Sequence, residues 1–432
     1  MDFITYLQER LLSDLPEIVK AYQGDLDAED LSGMETAVRQ MAHELGNAVM
    51  QAWLEAQDER YPADTQPCAC GEAARYVRKR RGMTLTLQGR VYYRRAYYVC
   101  PHCGGGHYPL DVRLGITPGQ MSAAVVKLAA LVGVQDAFGT SSDLLAQTTL
   151  LELSPNSIRK ACQQVGEAVL ATEAAQVAHS QDLEAQQAHK CAADKPKRLY
   201  ASVDGFLAPF ADGWHEMKAG VWWTLDAHAR VRLRRYYVDT APAEAFADLV
   251  WATGFALHAD QAEELVFIAD GAAWIWRIVQ QHFPHAVQIV DWYHACTYLT
   301  AVAHAAFGDE TPEARAWRDQ QQAHLWAGRL GAVARACRAL ADRAPEAVHK
   351  ARVYFAHNRT RMRYARFRAR GWQIGSGTME SGCKQIGLQR LKITGARWSE
   401  AGARKVAKAR AAFLSGDWPQ LGTRSLPLPQ AA

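Results

Sequence analysis

The chain has 432 residues, 49 Lys and Arg against 45 Asp and Glu, a formal net charge of +4, and 49% hydrophobic residues. That length exceeds what one core usually organises, so two to four modules are expected, with enough apolar content to fill them. No apolar run reaches the ~18 residues of a membrane helix, and MDFITYLQERLLSDLPEI is too acidic and polar for a signal peptide, so a soluble cytoplasmic protein with no membrane partner is expected.

Residues 1–63 read as an N-terminal helical region whose charge is mostly acidic. Nine cysteines in such a chain argue for a metal site plus buried thiols rather than a disulfide framework. The site is expected in residues 64–112, where Cys68-Ala69-Cys70-Gly71 precedes Cys100-Pro101-His102-Cys103-Gly104 across the strand-like MTLTLQGRVYYRRAYYV. Two thiolate pairs on turns joined by strands describe a zinc ribbon holding one structural Zn²⁺ on Cys68, Cys70, Cys100 and Cys103. The first pair is C-x-C, one residue shorter than the second. Either both of its thiols bind, or His102 or His107 replaces one. Arg75, Arg78, Lys79, Arg80, Arg81, Arg90, Arg94 and Arg95 alternate with tyrosines here, a density that suits phosphate contacts.

Residues 113–172 read as consecutive helices, with Ser141/Ser142 capping a short one and a turn at Glu152–Ser154 leading into Asn156–Leu170. The pattern suggests a helix-turn-helix whose second helix offers Arg159 and Lys160 to a DNA groove. The polar, Ala/Gln-rich stretch 173–198 is expected to be a linker or an exposed helical connector.

The next segment carries the acids. Asp204 ends LYASVDG and Asp270 ends ELVFIADG, each expected at the C-terminal edge of a buried strand. Between them lie two more strand-like runs and the helix AEAFADLVWATGFAL; after Asp270 come the helix AAWIWRIVQQHF and the strand AVQIVDWYH. Glu380 lies in IGSGTMESGCK, where Ser376 or Thr378 can cap a helix that holds Glu380 in its first turn. Two strand-end aspartates and a helix-borne glutamate suit a pair of Mg²⁺ or Mn²⁺ ions roughly 3.5–4 Å apart, as in phosphoryl transfer. Core segments are expected at 199–300 and 373–415, separated by a helical insertion at 301–372 and followed by a tail at 416–432. Near the insertion's end Arg359, Arg363, Arg366 and Arg370 are expected on one helix face, an arginine stripe for DNA backbone. Lys384, Arg390, Lys392, Arg397 and Trp398 would extend that surface from Glu380, with Arg404, Lys405, Lys408 and Arg410 on the last helix.

The succession of three strands, helix, strand, helix and strand resembles the ribonuclease-H-like fold of DDE transposases and retroviral integrases. Asp291-Trp292-Tyr293-His294 is similar to the [C/D]-x-x-H motif of Mutator-like and hAT-type transposases. The strings SVDGFLAPF, IADGAAWIW, IVDWYHACTYL and IGSGTMESGCKQIGLQRLKITGARW look like the ISKra family of bacterial insertion-sequence transposases. The resemblance runs from about Pro67 to Trp418. It implies an α/β ribonuclease-H-like core, with Asp204, Asp270 and Glu380 holding two catalytic metal ions. It also implies a homo-oligomer that cuts the ends of its own element and joins them to target DNA in a bacterial cytoplasm. Asp291 and His294 would then either tie the strand end to the insertion or stand behind the metal ligands and steady an unpaired base. Two other readings share these residues: a ribonuclease-H-like nuclease without strand transfer, and a domesticated zinc-containing DNA-binding regulator.

Overall fold

The computed structural model describes residues 3–22, 30–61, 64–117, 119–191 and 195–421. The ends of the expected N-terminal region and most of the tail, residues 422–432, lie outside them. The chain is mixed α/β and forms two compact units, residues 1–168 with 419–432, and residues 169–418.

The first unit opens with helices α1 (Phe3–Ala21) and α2 (Leu31–Asp58), the latter started by Asp30, whose carboxylate accepts from Gly33 N at 2.7 Å. An antiparallel sheet follows, β1 (Thr65–Pro67), β2 (Ala73–Thr86), β3 (Gly89–Val99) and β4 (Gly106–His107), paired in that order. Alternation along β2 and β3 sorts their residues: Val91, Tyr93, Ala96 and Tyr98 are buried, while Arg81 and Arg94 face each other on the exposed side. Arg95 departs from the expected basic surface. It is buried against Asp111 at 2.5 Å, and Tyr93 donates to the same carboxylate at 2.8 Å.

Helices α3 (Pro109–Leu114), α4 (Ala123–Gly133), α5 (Phe138–Thr149) and α6 (Pro155–Gln181) complete this part of the chain. Ser141 and Ser142 do not cap α5, which begins before them; Ser141 Oγ donates to Val132 O and Ser142 Oγ to Leu153 O. The helix after the turn is 27 residues long, well past the expected Leu170, and carries the chain into the second unit. The expected linker at 173–198 is largely helical, its alternative reading: α6 runs to Gln181 and α7 spans Leu183–Lys190.

The second unit is built on strands β5 (Arg198–Phe210), β6 (Gly213–Leu225), β7 (Val231–Asp239), β8 (Glu264–Ala269) and β9 (Val287–Val290), in the order β7-β6-β5-β8-β9. β5, β6 and β7 form an antiparallel meander; β8 adds to β5, and β9 to β8, in parallel. Parallel neighbours need crossovers, supplied by α8 (Ala243–Phe255) and α9 (Ala273–His282). Successive residues of β7 show what covers each face: Tyr237 packs on Phe246 of α8, while Tyr236 faces Gly382 and is bonded through its N–H to Ser415 Oγ.

After β9 the chain is helical: α10 (Trp292–Phe307), α11 (Pro312–Trp326), α12 (Leu330–Ala339), α13 (Pro345–His357) and α14 (Tyr364–Ala369). The expected arginine-bearing helix is therefore broken. α13 stops at His357, a 3₁₀ turn holds Arg359–Arg361, and α14 begins at Tyr364, so the four stripe arginines do not share one helix face. The chain returns to the sheet through α15 (Gly377–Cys383), a π-helical segment (Lys384–Leu391) and α16 (Glu400–Leu414). Among the described residues no helix is long and apolar enough to cross a membrane.

Candidate active site and metal centre

In the first unit, the loop after β1 and the loop after β3 bring Cys68, Cys70, Cys100 and Cys103 together, with all four sulfurs within 4.8 Å of one another. Cys68 Sγ lies 3.6 Å from Cys103 Sγ, and Cys70 Sγ 3.6 Å from Cys100 Sγ. Tetrahedral zinc at about 2.3 Å from each sulfur sets neighbouring sulfurs about 3.8 Å apart, so the spacing fits. The C-x-C pair thus contributes both thiols, and neither His102 nor His107 joins the group. Backbone bonds shape the turns: Gly71 N donates to Cys68 O and Gly104 N to Cys100 O. The Cys103 N–H, then that of His102, draws the Cys100 thiol down to about 7, toward the thiolate a metal takes. These cysteines could hold a metal such as zinc.

The carboxylates lie in the second unit. The parallel register Arg198↔Glu264 to Ala201↔Phe267, carried three residues further, sets Asp204 level with Asp270. Ala269↔Val290 does the same for Asp270 and Asp291. Asp270 follows the last residue of its strand as expected, but Asp204 does not: β5 continues to Phe210 because β6 pairs with it along that length. Phe206, two residues on and so on the Asp204 face, packs on Gly387, where a Cβ would come within 2.8 Å of the ring. Gly382 lies equally tightly on Tyr236, at 2.4 Å. These two glycines let α15 and the π-helical segment sit directly on the Asp204 side of the sheet.

Ser376 occupies the position before α15, yet its side chain makes no cap bond. Its backbone N–H instead donates to Asp291 Oδ2 at 2.5 Å, while Asp291 Oδ1 accepts from His294 N at 2.6 Å. Asp291 is buried, caps α10 and tethers the loop that leads to Glu380. Glu380 lies in the first turn of α15 and is exposed. Burial pushes the Asp204 carboxyl above the usual carboxylate range, and the charge of Asp270 adds to this against the Gly205 N–H and His294. Neither Asp204, Asp270 nor Glu380 has a Lys or Arg within 4.0 Å among the described residues, in contrast to Asp111 and Asp239. The three do not form a group as close as the cysteines.

Two neighbours of the acids carried no sequence signal. Cys383 Sγ donates to Asp204 Oδ2 at 3.8 Å, and its thiol is held protonated by burial and by that charge. Tyr354, from α13, donates to Asp270 O at 2.6 Å and stacks on Tyr298 with ring centres 3.9 Å apart. The ring of His294 lies 5.9 Å from that of Tyr354.

The basic residues expected to face DNA divide into exposed and buried ones. Arg359, Arg363, Arg366 and Arg370 are all exposed, as are Lys160, Lys384 and Arg397. Arg159 is half-buried and bonded to Asn156 and Gln163, and Lys392 is half-buried with its ammonium 5.8 Å from the Trp214 ring centre. Arg390 and Trp398 are not on the surface: Arg390 is 1% and Trp398 8% exposed, the guanidinium sits 5.3 Å from the indole centre, and Trp398 Nε1 donates to Leu391 O. Lys408 is also buried, between Glu173 and Asp239, and Arg410 is buried beside Gln385 O. Arg404 pairs with Asp239 at 2.7 Å.

The molecule is thus a mixed α/β protein with a four-cysteine group that could hold a metal and, separately, carboxylates without a Lys or Arg partner among the described residues, at the level where β8 and β9 end. The chain belongs to the family described as Uncharacterised protein family (UPF0236), whose model matches residues 27–421. No curated protein matches it.

Proposed function

We propose that the chain is a DNA transposase of the DDE type, resembling the ISKra insertion-sequence enzymes, with a ribonuclease-H-like core in residues 199–300 and 373–415. The observation that carries this reading is the register that sets Asp204 level with Asp270, under a helix that bears Glu380. The strand order β7-β6-β5-β8-β9, one antiparallel meander extended by two parallel strands, is the order such a core has.

Carboxylate oxygens without a cationic partner suit hard divalent ions, and Asp204, Asp270 and Glu380 would hold two Mg²⁺ or Mn²⁺. Acids at opposite ends of an ion pair roughly 3.5–4 Å apart need not touch one another, so their wider spacing than the cysteines is compatible. Such ions supply charge neutralisation at a phosphodiester and an acidified water or 3′-hydroxyl. The chain's own part is to hold the carboxylates aimed, with Asp204 central and α15 fixed by Asp291. Lys384, one turn after Glu380, would meet a phosphate near the scissile one. The exposed arginines 359, 363, 366 and 370, with the basic face of β2 and β3, would bind DNA backbone, and the α5–α6 turn with Arg159 and Lys160 would read element ends. The cysteine centre would hold its module together as a zinc ribbon.

The test is incubation of purified protein with DNA spanning the junctions of its own locus, in Mg²⁺ and in EDTA. Metal-dependent cleavage followed by joining of the 3′ ends to a target duplex is the expected result. Cleavage without joining would assign a nuclease, and binding without cleavage a regulator.

A further inference from the structure

We propose that the cavity between α9 and α13, beside Asp270, is a binding site for one unstacked nucleotide. The cavity measures about 710 Å³ and lies wholly in the second unit. Tyr298, Tyr354 and the largely buried Trp276 supply aromatic rings to its lining, and Arg277, Arg361 and Lys350 its fixed cations, the last paired with Glu346 at 2.7 Å. No carboxylate lines it among the described residues. A wall with flat apolar rings and one sign of charge selects a planar aromatic ligand that carries an anion, which is the chemistry of a nucleoside phosphate.

The groups are arranged rather than scattered. Arg361 lies 4.6 Å from the centre of the Trp276 ring and is fixed by bonds to Gln288 and Asn358. Tyr354 stacks on Tyr298 at 13° between planes, and the hydroxyl of Tyr354 holds Asp270 O. One ring therefore belongs both to the cavity and to the strand end that carries the acid. Gly271, immediately after Asp270, borders the same space with φ +103, and a Cβ there would meet Tyr354 at 2.9 Å. Arg277 is exposed at the mouth and free to meet a phosphate. That the nucleotide belongs to a DNA strand being processed rests on the function proposed above; the cavity's preference for a nucleotide does not.

The experiment is calorimetric titration of the full chain, without divalent ions, with deoxyadenosine monophosphate, deoxyadenosine and inorganic phosphate separately. We expect the monophosphate to bind one per chain and each of the other two roughly tenfold or more weakly. Val353→Trp fills the mouth and Arg277→Glu reverses its charge, both at exposed positions on helices; each should weaken the monophosphate by about tenfold or more. Unchanged affinity in both variants, or phosphate binding as well as the nucleotide, overturns the site. The titration reads no cleavage, so a protein that never cuts DNA but binds the monophosphate here removes the transposase reading and leaves this one. Cleavage by a protein whose nucleotide binding ignores both variants does the reverse.

Discussion

Asp291 Oδ2 accepts the backbone N–H of Ser376 at 2.5 Å, joining two points 85 residues apart in the chain. The same carboxylate caps α10 through His294 N, and Trp292 N donates to Ile374 O alongside it. The end of β9 is thereby fastened to the loop that launches α15, so the placement of Glu380 depends on Asp291. Asp291→Ala removes two bonds to a charged acceptor and should cost about 1–3 kcal/mol, read by urea unfolding. Cleavage should fall with it, while DNA affinity stays near wild type.

The carboxyl of Asp204 has a folded-state pKa raised above its unfolded value, so its ionisation opposes folding. The cost is absent below the unfolded pKa of about 3.9, grows as pH rises toward the folded value, and is complete above it. Asp204→Asn should therefore be more stable than wild type at pH 7, with the difference vanishing in acid. Mg²⁺ should raise the melting temperature of the wild type more than that of the variant. Equal melting curves for both proteins at pH 7, with and without Mg²⁺, would count against the raised pKa.

Metal analysis of the purified chain should find about one zinc, held by sulfur alone. Cys70→Ser and Cys100→Ser should each lose it and lower the melting temperature, whereas His102→Ala and His107→Ala should keep it. Zinc retained in Cys70→Ser and lost in His102→Ala would reverse the ligand set.

The arginines near the end of the insertion remain exposed although the helix beneath them is broken. If they contact phosphates, Arg363→Ala with Arg366→Ala should make the slope of log affinity against log salt shallower by about 0.9 per lost contact. The loss should be similar for cognate and unrelated duplexes. Arg159→Ala should instead narrow the gap between those duplexes if its side chain leaves Asn156 for a base edge.

Much of the sheet was legible because its strands contain apolar runs bounded by turn residues, with Asp270 at the end of one; the length of β5 was not, because its pairing with β6 carries it past Asp204. The four cysteines were legible for a similar reason: paired thiols on glycine turns are a local signal. Burial of cations was not. Lys408 reads as surface in its own helix, and only Glu173 and Asp239, both more than 160 residues away, explain why it is inside. Arg390 and Trp398 likewise looked like a basic surface until they packed on each other. The break after His357 has no Pro or Gly to announce it. Asn358 is 3% exposed and donates to Tyr354 O, a tertiary setting that periodicity does not carry. Tyr354 reached Asp270 from a helix with no signal that placed it there, and Cys383 came with the Glu380 segment without a signal of its own.

The most direct test is to measure cleavage of DNA carrying the junctions of the locus, in Mg²⁺, by the wild-type chain and by Asp204→Asn, Asp270→Asn and Glu380→Gln. Each substitution keeps the size of the side chain and removes one charge that a divalent ion needs. All three should bind the DNA like wild type and lose at least about a thousandfold in cleavage rate. Cleavage near the wild-type rate by any one of them would contradict the assignment of that residue, and cleavage by all three would contradict the site.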